Sequence, residues 1–288
     1  MALTHDTWPI AFPGARDNAS TMSTIGIKSS LGSGQDVTRG LNPAKPIAGH
    51  DMAALMRLLG EKTRASIAHR SVNPLMEFVY SSMTEGSQFI AHIPIACRKG
   101  CSFCCKVWVD TSPPEVLYTV KKMPPDQRQR AIEAVEQACA QTSGVPFHDR
   151  LGKVNPPCPM LGGDGACNVY DNRPVACRTL VSTDVEACKR TFLDGSDEGF
   201  PGLKVWLTLG DSYARAIEGA LIHSGLAHQA REWNDSLNLA LTQADAEERW
   251  LGGADVFAGV AASPAPPTFD NPLWRSIYQQ AFGAPPPE

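Results

Sequence analysis

The chain has 288 residues, of which 43% are hydrophobic; 30 acidic side chains against 26 basic ones give a formal net charge of −4 and a pI near 6.0. That length supports one good hydrophobic core, and the charge balance excludes the broad basic field that non-specific nucleic-acid binding requires. The first ten residues lack the basic start and unbroken apolar run of a signal peptide, and no later segment approaches ~18 uncharged apolar residues; neither nucleic acid nor a membrane is expected as a partner, and the expected location is cytoplasmic.

Residues 1 to 48 are rich in Ser, Thr, Gly, Asn and Pro without sustained periodicity, which predicts a flexible leader. Gly32-Ser-Gly34 within it lacks the preceding strand, third glycine and following helix of a dinucleotide fingerprint, and reads as linker. From Asp51 the pattern changes. Met52, Leu55, Met56 and Leu59 recur at helical spacing, and after the break at Asn73-Pro74 so do Leu75, Phe78, Val79 and Met83. Two amphipathic helices are expected there, with the methionines as core filler rather than soft-metal ligands.

Next comes Cys97-Arg-Lys-Gly-Cys101-Ser-Phe-Cys104-Cys105, four cysteines in nine residues. Lys106 to Asp110 has the look of a short extended segment. Ser112-Pro-Pro-Glu115 then forms a capping box with proline at the first helical position, opening a helix through Val116, Leu117 and Val120 that Pro124-Pro125 stops. A further helix aligns Ala131, Ile132, Val135, Ala138 and Cys139 on one apolar face, so Cys139 is expected in the core. Residues 143 to about 200 hold many Gly, Pro and Asp with little periodicity, yet they carry Cys158, Cys167, Cys177 and Cys188. So long a loop inside a compact domain needs a staple. Downstream, Trp206, Leu209, Tyr213, Ile217, Ala220 and Leu221 mark a long helix, and Trp233, Leu237, Ala240 and Leu241 another before Trp250. Residues 261–288 read as a proline-rich tail whose docked turn is Leu273, Trp274, Ile277 and Tyr278. The expected architecture is mainly α: a single helical domain over 49–260 with an irregular cysteine-rich, metal-stapled layer.

Thiolates are soft ligands that select zinc or iron-sulfur centres, and a four-coordinate centre needs sulfurs within about 2.3 Å of the metal. Eight of the nine cysteines fall in two short segments, so Cys97, Cys101, Cys104, Cys105, Cys158, Cys167, Cys177 and Cys188 are the candidate ligands. Adjacent side chains at Cys104 and Cys105 diverge. Either one of them serves a second centre, or a single centre draws ligands from both segments. Disulfides are disfavoured, because nothing points to an oxidising compartment. Iron with sulfide is expected rather than zinc, since zinc sites usually pair two Cys-x2-Cys knuckles and only Cys101 and Cys104 have that spacing, while Cys158-Pro159 follows the ferredoxin habit of proline after a ligand.

The run Cys-x3-Cys-x2-Cys-Cys, then Cys158-Pro-Met-Leu, then Cys167-Asn-Val-Tyr-Asp-Asn-Arg-Pro-Val-Ala-Cys177-Arg and finally Cys188-Lys-Arg resembles the YkgJ-type cysteine-cluster family, the zinc- or iron-chelating domain of CxxCxxCC type, over about residues 93 to 192. It departs from the family pattern in the first gap, three residues rather than two. The family includes flagellin lysine N-methylase, so the resemblance implies a metal and opens the alternative of an enzyme that modifies another protein. Cys97-x3-Cys101-x2-Cys104 also resembles the radical-SAM loop, which implies a β/α barrel that the helical pattern does not provide.

Arg98, Lys99 and Lys106 flank the first cluster and Arg173, Arg178, Lys189 and Arg190 the second, as an anionic thiolate centre would favour. Arg173, before Pro174, is expected to tie the second loop together by hydrogen bonds to carbonyls or to Asp171. His92 and His148 are nearest to the cysteines but read as structural or surface residues. No phosphate loop, carboxylate pair or serine nucleophile motif is present, and no catalytic residue is assigned. The expected function is that of a metal-binding protein, with another protein as redox partner or substrate; a structural zinc module for protein binding is a further alternative.

Overall fold

A computed structural model describes residues 49–88, 91–150, 154–193 and 202–287; the leader read at 1–48 lies outside the described residues. The described chain is mainly α, with eleven helices and one two-stranded sheet. In chain order these are α1 (Gly49–Ala68), α2 (Asn73–Gln88), β1 (Asp110–Thr111), α3 (Pro113–Lys122), α4 (Pro125–Thr142), α5 (Phe147–Arg150), α6 (Val175–Thr179), α7 (Val185–Phe192), α8 (Lys204–His223), β2 (Arg231–Glu232), α9 (Trp233–Thr242), α10 (Ala246–Leu251) and α11 (Pro272–Phe282).

The apolar stripes do what their periodicity predicts. Met56 and Leu59 of α1, Leu75, Met76 and Val79 of α2, Ile217 and Leu221 of α8 and Leu237 of α9 are completely buried in one continuous core. Each such side chain contributes about 1.5–3 kcal/mol through lost water contact. Helix α1 lies against α2, α8 and α11, while α9 receives α3 and α4. Trp250 of α10 fills the core beneath and donates its indole N–H to the Ala227 carbonyl at 2.9 Å.

Three local outcomes position the cysteines. The extended segment foreseen at 106–110 narrows to Asp110–Thr111, which pairs antiparallel with Arg231–Glu232 in the register Asp110↔Glu232 and Thr111↔Arg231. The Ser112–Glu115 signal does start α3, and Glu115, only 4% exposed, accepts hydrogen bonds from the Ser112 N–H (2.8 Å) and hydroxyl (2.6 Å). Its second oxygen accepts from the Val175 N–H at 2.7 Å, fastening the start of α6 to α3. Burial pushes this carboxyl above its ordinary range, while the hydrogen bonds from Ser112 and Val175 oppose the rise.

The stretches 143–150 and 154–193 are irregular but contain α5, α6 and α7, of four, five and eight residues. Arg150 at the end of α5 is 2% exposed and donates to Glu232 at 3.0 Å, anchoring this layer to β2. The turn foreseen at Leu273 to Tyr278 extends to the whole of α11, with Trp274, Ile277 and Tyr278 buried and Leu273 exposed. Arg57 of α1 donates to the Ala281 and Gln280 carbonyls, both at 3.0 Å, closing the C-terminal end of α11. No helix among the described residues is long and apolar enough to cross a membrane.

Candidate metal centre

The first cysteine segment is a succession of tight turns. Cys101 N–H donates to the Arg98 carbonyl (2.9 Å), Cys105 N–H to that of Ser102 (3.0 Å), and Gly100 within the first of these turns sits at φ +90°, a conformation side chains rarely adopt. Its start is held by the segment after α6: Ala96 N–H donates to the Ser182 carbonyl at 2.8 Å, and Ser182 N–H donates to the Cys97 sulfur at 3.3 Å. Its end is held by the second segment, because Cys158 N–H donates to the Cys105 carbonyl at 2.7 Å.

Cys158 and Cys167 stand at the two sides of a small hairpin. Leu161 bridges Cys167 antiparallel, Gly162 N–H donates to Ala166 at 2.7 Å, and Asn168 N–H donates to Met160 at 2.8 Å. A 3₁₀ turn at Tyr170–Asn172 leads through Pro174 into α6, which carries Cys177. Cys188 lies on α7, whose first turn is capped by Asp184 accepting from the Ala187 N–H at 3.0 Å. Helix α8 presses on α6 at Gly210: a Cβ there would stand 2.2 Å from the Thr179 hydroxyl oxygen.

These elements bring seven of the eight candidate cysteines, namely Cys97, Cys101, Cys104, Cys105, Cys158, Cys167 and Cys177, to the wall of one cleft of about 1420 Å³. Cys188 is buried just behind, against Phe192, another lining residue. Cys139 is not on the cleft; it is buried on α4, where the neighbouring Asp235 and Glu232 charges add to burial and push its thiol up to about 12. All nine cysteines are free thiols. Among the described residues, no three His, Cys, Asp or Glu side chains already stand at metal-ligating separation. The sulfurs are grouped by their loops rather than clamped.

The electrostatics fit a site for a cation. Burial pushes Cys158 up to about 12, with the charges of Cys105 and Cys167 adding to it. Cys177 is raised well above its usual range by burial and by Cys158, Cys105 and Cys167. Burial likewise raises Cys97, where Cys101 adds and Arg173 opposes, and Cys188, where Cys97 and Cys101 add. In the adjacent pair, a hydrogen bond with Cys104 and the Arg173 charge outweigh burial and bring Cys105 down to about 7, while the same hydrogen bond and burial push Cys104 well up. Buried thiols that resist ionisation separately, and repel when ionised together, are what a soft metal cation relieves, since binding removes their protons.

Arg173 and Arg178 exchange the roles expected of them. Arg178 ties the second loop, donating to the Arg173 carbonyl at 3.0 Å and to the Asp171 carbonyl while its guanidinium lies 3.9 Å from the Tyr80 ring centre. Arg173 instead stacks on Tyr170 at 3.8 Å, and its positive charge acts on Cys97, Cys105, Cys167 and Cys177. His92 and His148 are exposed and away from the cleft, whereas His228, which no motif singles out, lines it. Beyond the sulfurs the cleft continues to Trp206, Asp211, Arg215 and Glu218 on one face of α8. Only that helix's place in the fold reveals them as lining.

Residues 96–193 match the family model CxxCxxCC, described as "Putative zinc- or iron-chelating domain". The matched span contains all nine cysteines, the eight candidate ligands and Cys139 alike. No curated protein and no solved structure matches the chain.

Proposed function

We propose that this chain, whose residues 96–193 match a zinc- or iron-chelating domain, is a metal-binding protein that holds iron with sulfide on Cys97, Cys101, Cys104, Cys105, Cys158, Cys167, Cys177 and Cys188. The observation that carries this reading is the placement of the thiols: seven line one cleft, Cys188 stands directly behind, and the remaining Cys139 is left in the helical core. The spread of the second-segment cysteines and the proline after Cys158 favour iron-sulfur ligation over paired zinc knuckles. A bound cluster would supply one-electron chemistry. The chain's own contribution is to orient the sulfurs by the turns around Gly100 and the 158–167 hairpin, and to offset their charge with Arg173. Protein isolated without oxygen should be brown, with a broad band near ~400 nm and acid-labile sulfide. Colourless anaerobic protein with stoichiometric zinc and no sulfide rejects the iron-sulfur reading and retains the metal-binding one.

A second reading, an enzyme acting on another protein, is favoured by one observation: the cleft runs on past the sulfurs along α8, where a purely structural centre would need no open space. The radical-SAM version requires a β/α barrel, and the described residues contain one two-stranded sheet. The enzyme in view is therefore a helical one that uses the cleft for an organic substrate. Saturable binding of a peptide or S-adenosylmethionine to the metal-loaded protein, measured by calorimetry, tests it; absence of binding for both leaves the redox or structural role.

A further inference from the structure

We infer that the eight cysteines form two separate four-thiolate centres that divide the adjacent pair between them: Cys97, Cys101, Cys104 and Cys188 hold one metal group, and Cys105, Cys158, Cys167 and Cys177 hold the other. This rests on the metal-binding reading above and goes beyond it in assigning the ligands.

Two observations separate the sets. The first is backbone tethering. Cys97 is joined to Ser182, two residues before the Asp184 that caps α7, so the loop of Cys97 and Cys101 is laid beside the helix of Cys188. Cys105 is joined instead to Cys158, whose hairpin supplies Cys167. The second is packing. Cys104 belongs with Cys188 and Phe192 in a small satellite cluster that also contains Phe103, Val107 and Leu180. Cys158 and Cys167 are packed against the main helical core. Cys177, on the helix that the Tyr170–Asn172 turn joins to the 158–167 hairpin, completes the second set.

Cys104 also feels Cys177 and hydrogen-bonds to Cys105. The two centres therefore adjoin at the peptide between these residues. That neighbourhood does not merge them, because a four-coordinate soft metal is satisfied by four sulfurs and eight thiolates exceed one such shell. Each centre also stitches the first cysteine segment to the second, which explains why two adjacent cysteines are used: one chain position serves both sides.

The test uses Co(II) as probe, since tetrahedral thiolate coordination gives it intense visible and charge-transfer bands. The full chain is denatured anaerobically to release its native metal and refolded with Co(II). Two equivalents are expected for the wild type. The pair Cys101→Ser with Cys188→Ser, both from one set, should retain one equivalent; the pair Cys101→Ser with Cys167→Ser, drawn from both sets, should lose both. Loss of all tight Co(II) from the within-set pair, or retention of one equivalent by the cross-set pair, overturns the partition. Where a variant does not refold by circular dichroism, the wild-type titration decides: one equivalent at saturation overturns the two-centre assignment alone. No uptake of Co(II) by a chain that also releases no iron or zinc on denaturation overturns the metal-binding reading itself.

Discussion

Gly210→Ala probes how tightly the ligand helix α6 is fixed. The added Cβ would lie 2.2 Å from the Thr179 hydroxyl oxygen, 2.9 Å from its Cβ and 3.2 Å from its methyl, where ordinary contact begins at 3.4 Å. Rotating Thr179 about its first side-chain bond could move the oxygen and methyl but not the Cβ, and would break the hydroxyl's bond to the Val175 carbonyl at 3.0 Å. The backbone of α6 must therefore shift by roughly half an ångström, at an overpacking cost of about 1–3 kcal/mol. Replacing a helical glycine by alanine returns about 0.5–1 kcal/mol. The net expectation is a loss of up to about 2.5 kcal/mol, together with reduced metal occupancy because Cys177 rides on α6. Gly86→Ala in α2 is the matched control: its Cβ would meet only the Leu209 side chain, at 4.0 Å, so the propensity gain stands unopposed. Urea midpoints and metal analysis of both variants decide the matter. If Gly210→Ala is as stable as Gly86→Ala and keeps full metal, α6 is not held as described.

Further expectations follow from the same contacts. Complete chelation, or Cys177→Ser, should lower the melting temperature sharply, because a structural metal contributes on the order of 10 kcal/mol; an unchanged melting temperature after full removal would show that the layer holds without it. Cys139→Ala should leave metal stoichiometry unaltered, since that thiol lies on α4 away from the cleft; lost metal would place it among the ligands. Burial raises the Glu232 carboxyl above its ordinary 4.5 despite the Arg150 partner. The stability it contributes is thus fully present below pH 4.5 and lost as pH rises through the raised folded value. Urea midpoints of wild type and Glu232→Gln across that window should differ by an amount that shifts against the wild type with rising pH, and a constant difference would contradict the sign.

What could be read in advance divides by length scale. The stripes of α1, α2, α4, α8 and α9 span several turns, enough for a 3.6-residue period to emerge, and their buried residues coincide with that period. The capping box at Ser112 and Glu115 is equally local. Helices of four and five residues at α5 and α6 carry no period to detect. The cysteine set stands out by chemistry alone, but its arrangement depends on pairings such as Cys97 with Ser182 that no local pattern encodes. The exchange between Arg173 and Arg178 has the same origin, since Tyr80, which receives Arg178, comes from α2. Likewise Glu115 reads as a cap, and only the fold reveals its second bond to Val175.

The tether between Cys97 and Ser182, separated by 85 positions, and the one joining Cys105 to Cys158 across α3, α4 and α5, also fix an order of events. Local helices can form within microseconds, but joining distant segments must first meet the entropy of closing a long loop. Single helices should therefore form early, whereas the cysteine layer, like the packing of α1 on α8 and α11, must await long-range closure. During synthesis the first four cysteines emerge well before their partners, leaving an interval in which exposed thiols are open to oxidation or to the wrong ion. On the proposed ligand set, a complete shell of sulfurs is available to a metal only once α7, which carries Cys188, has left the ribosome.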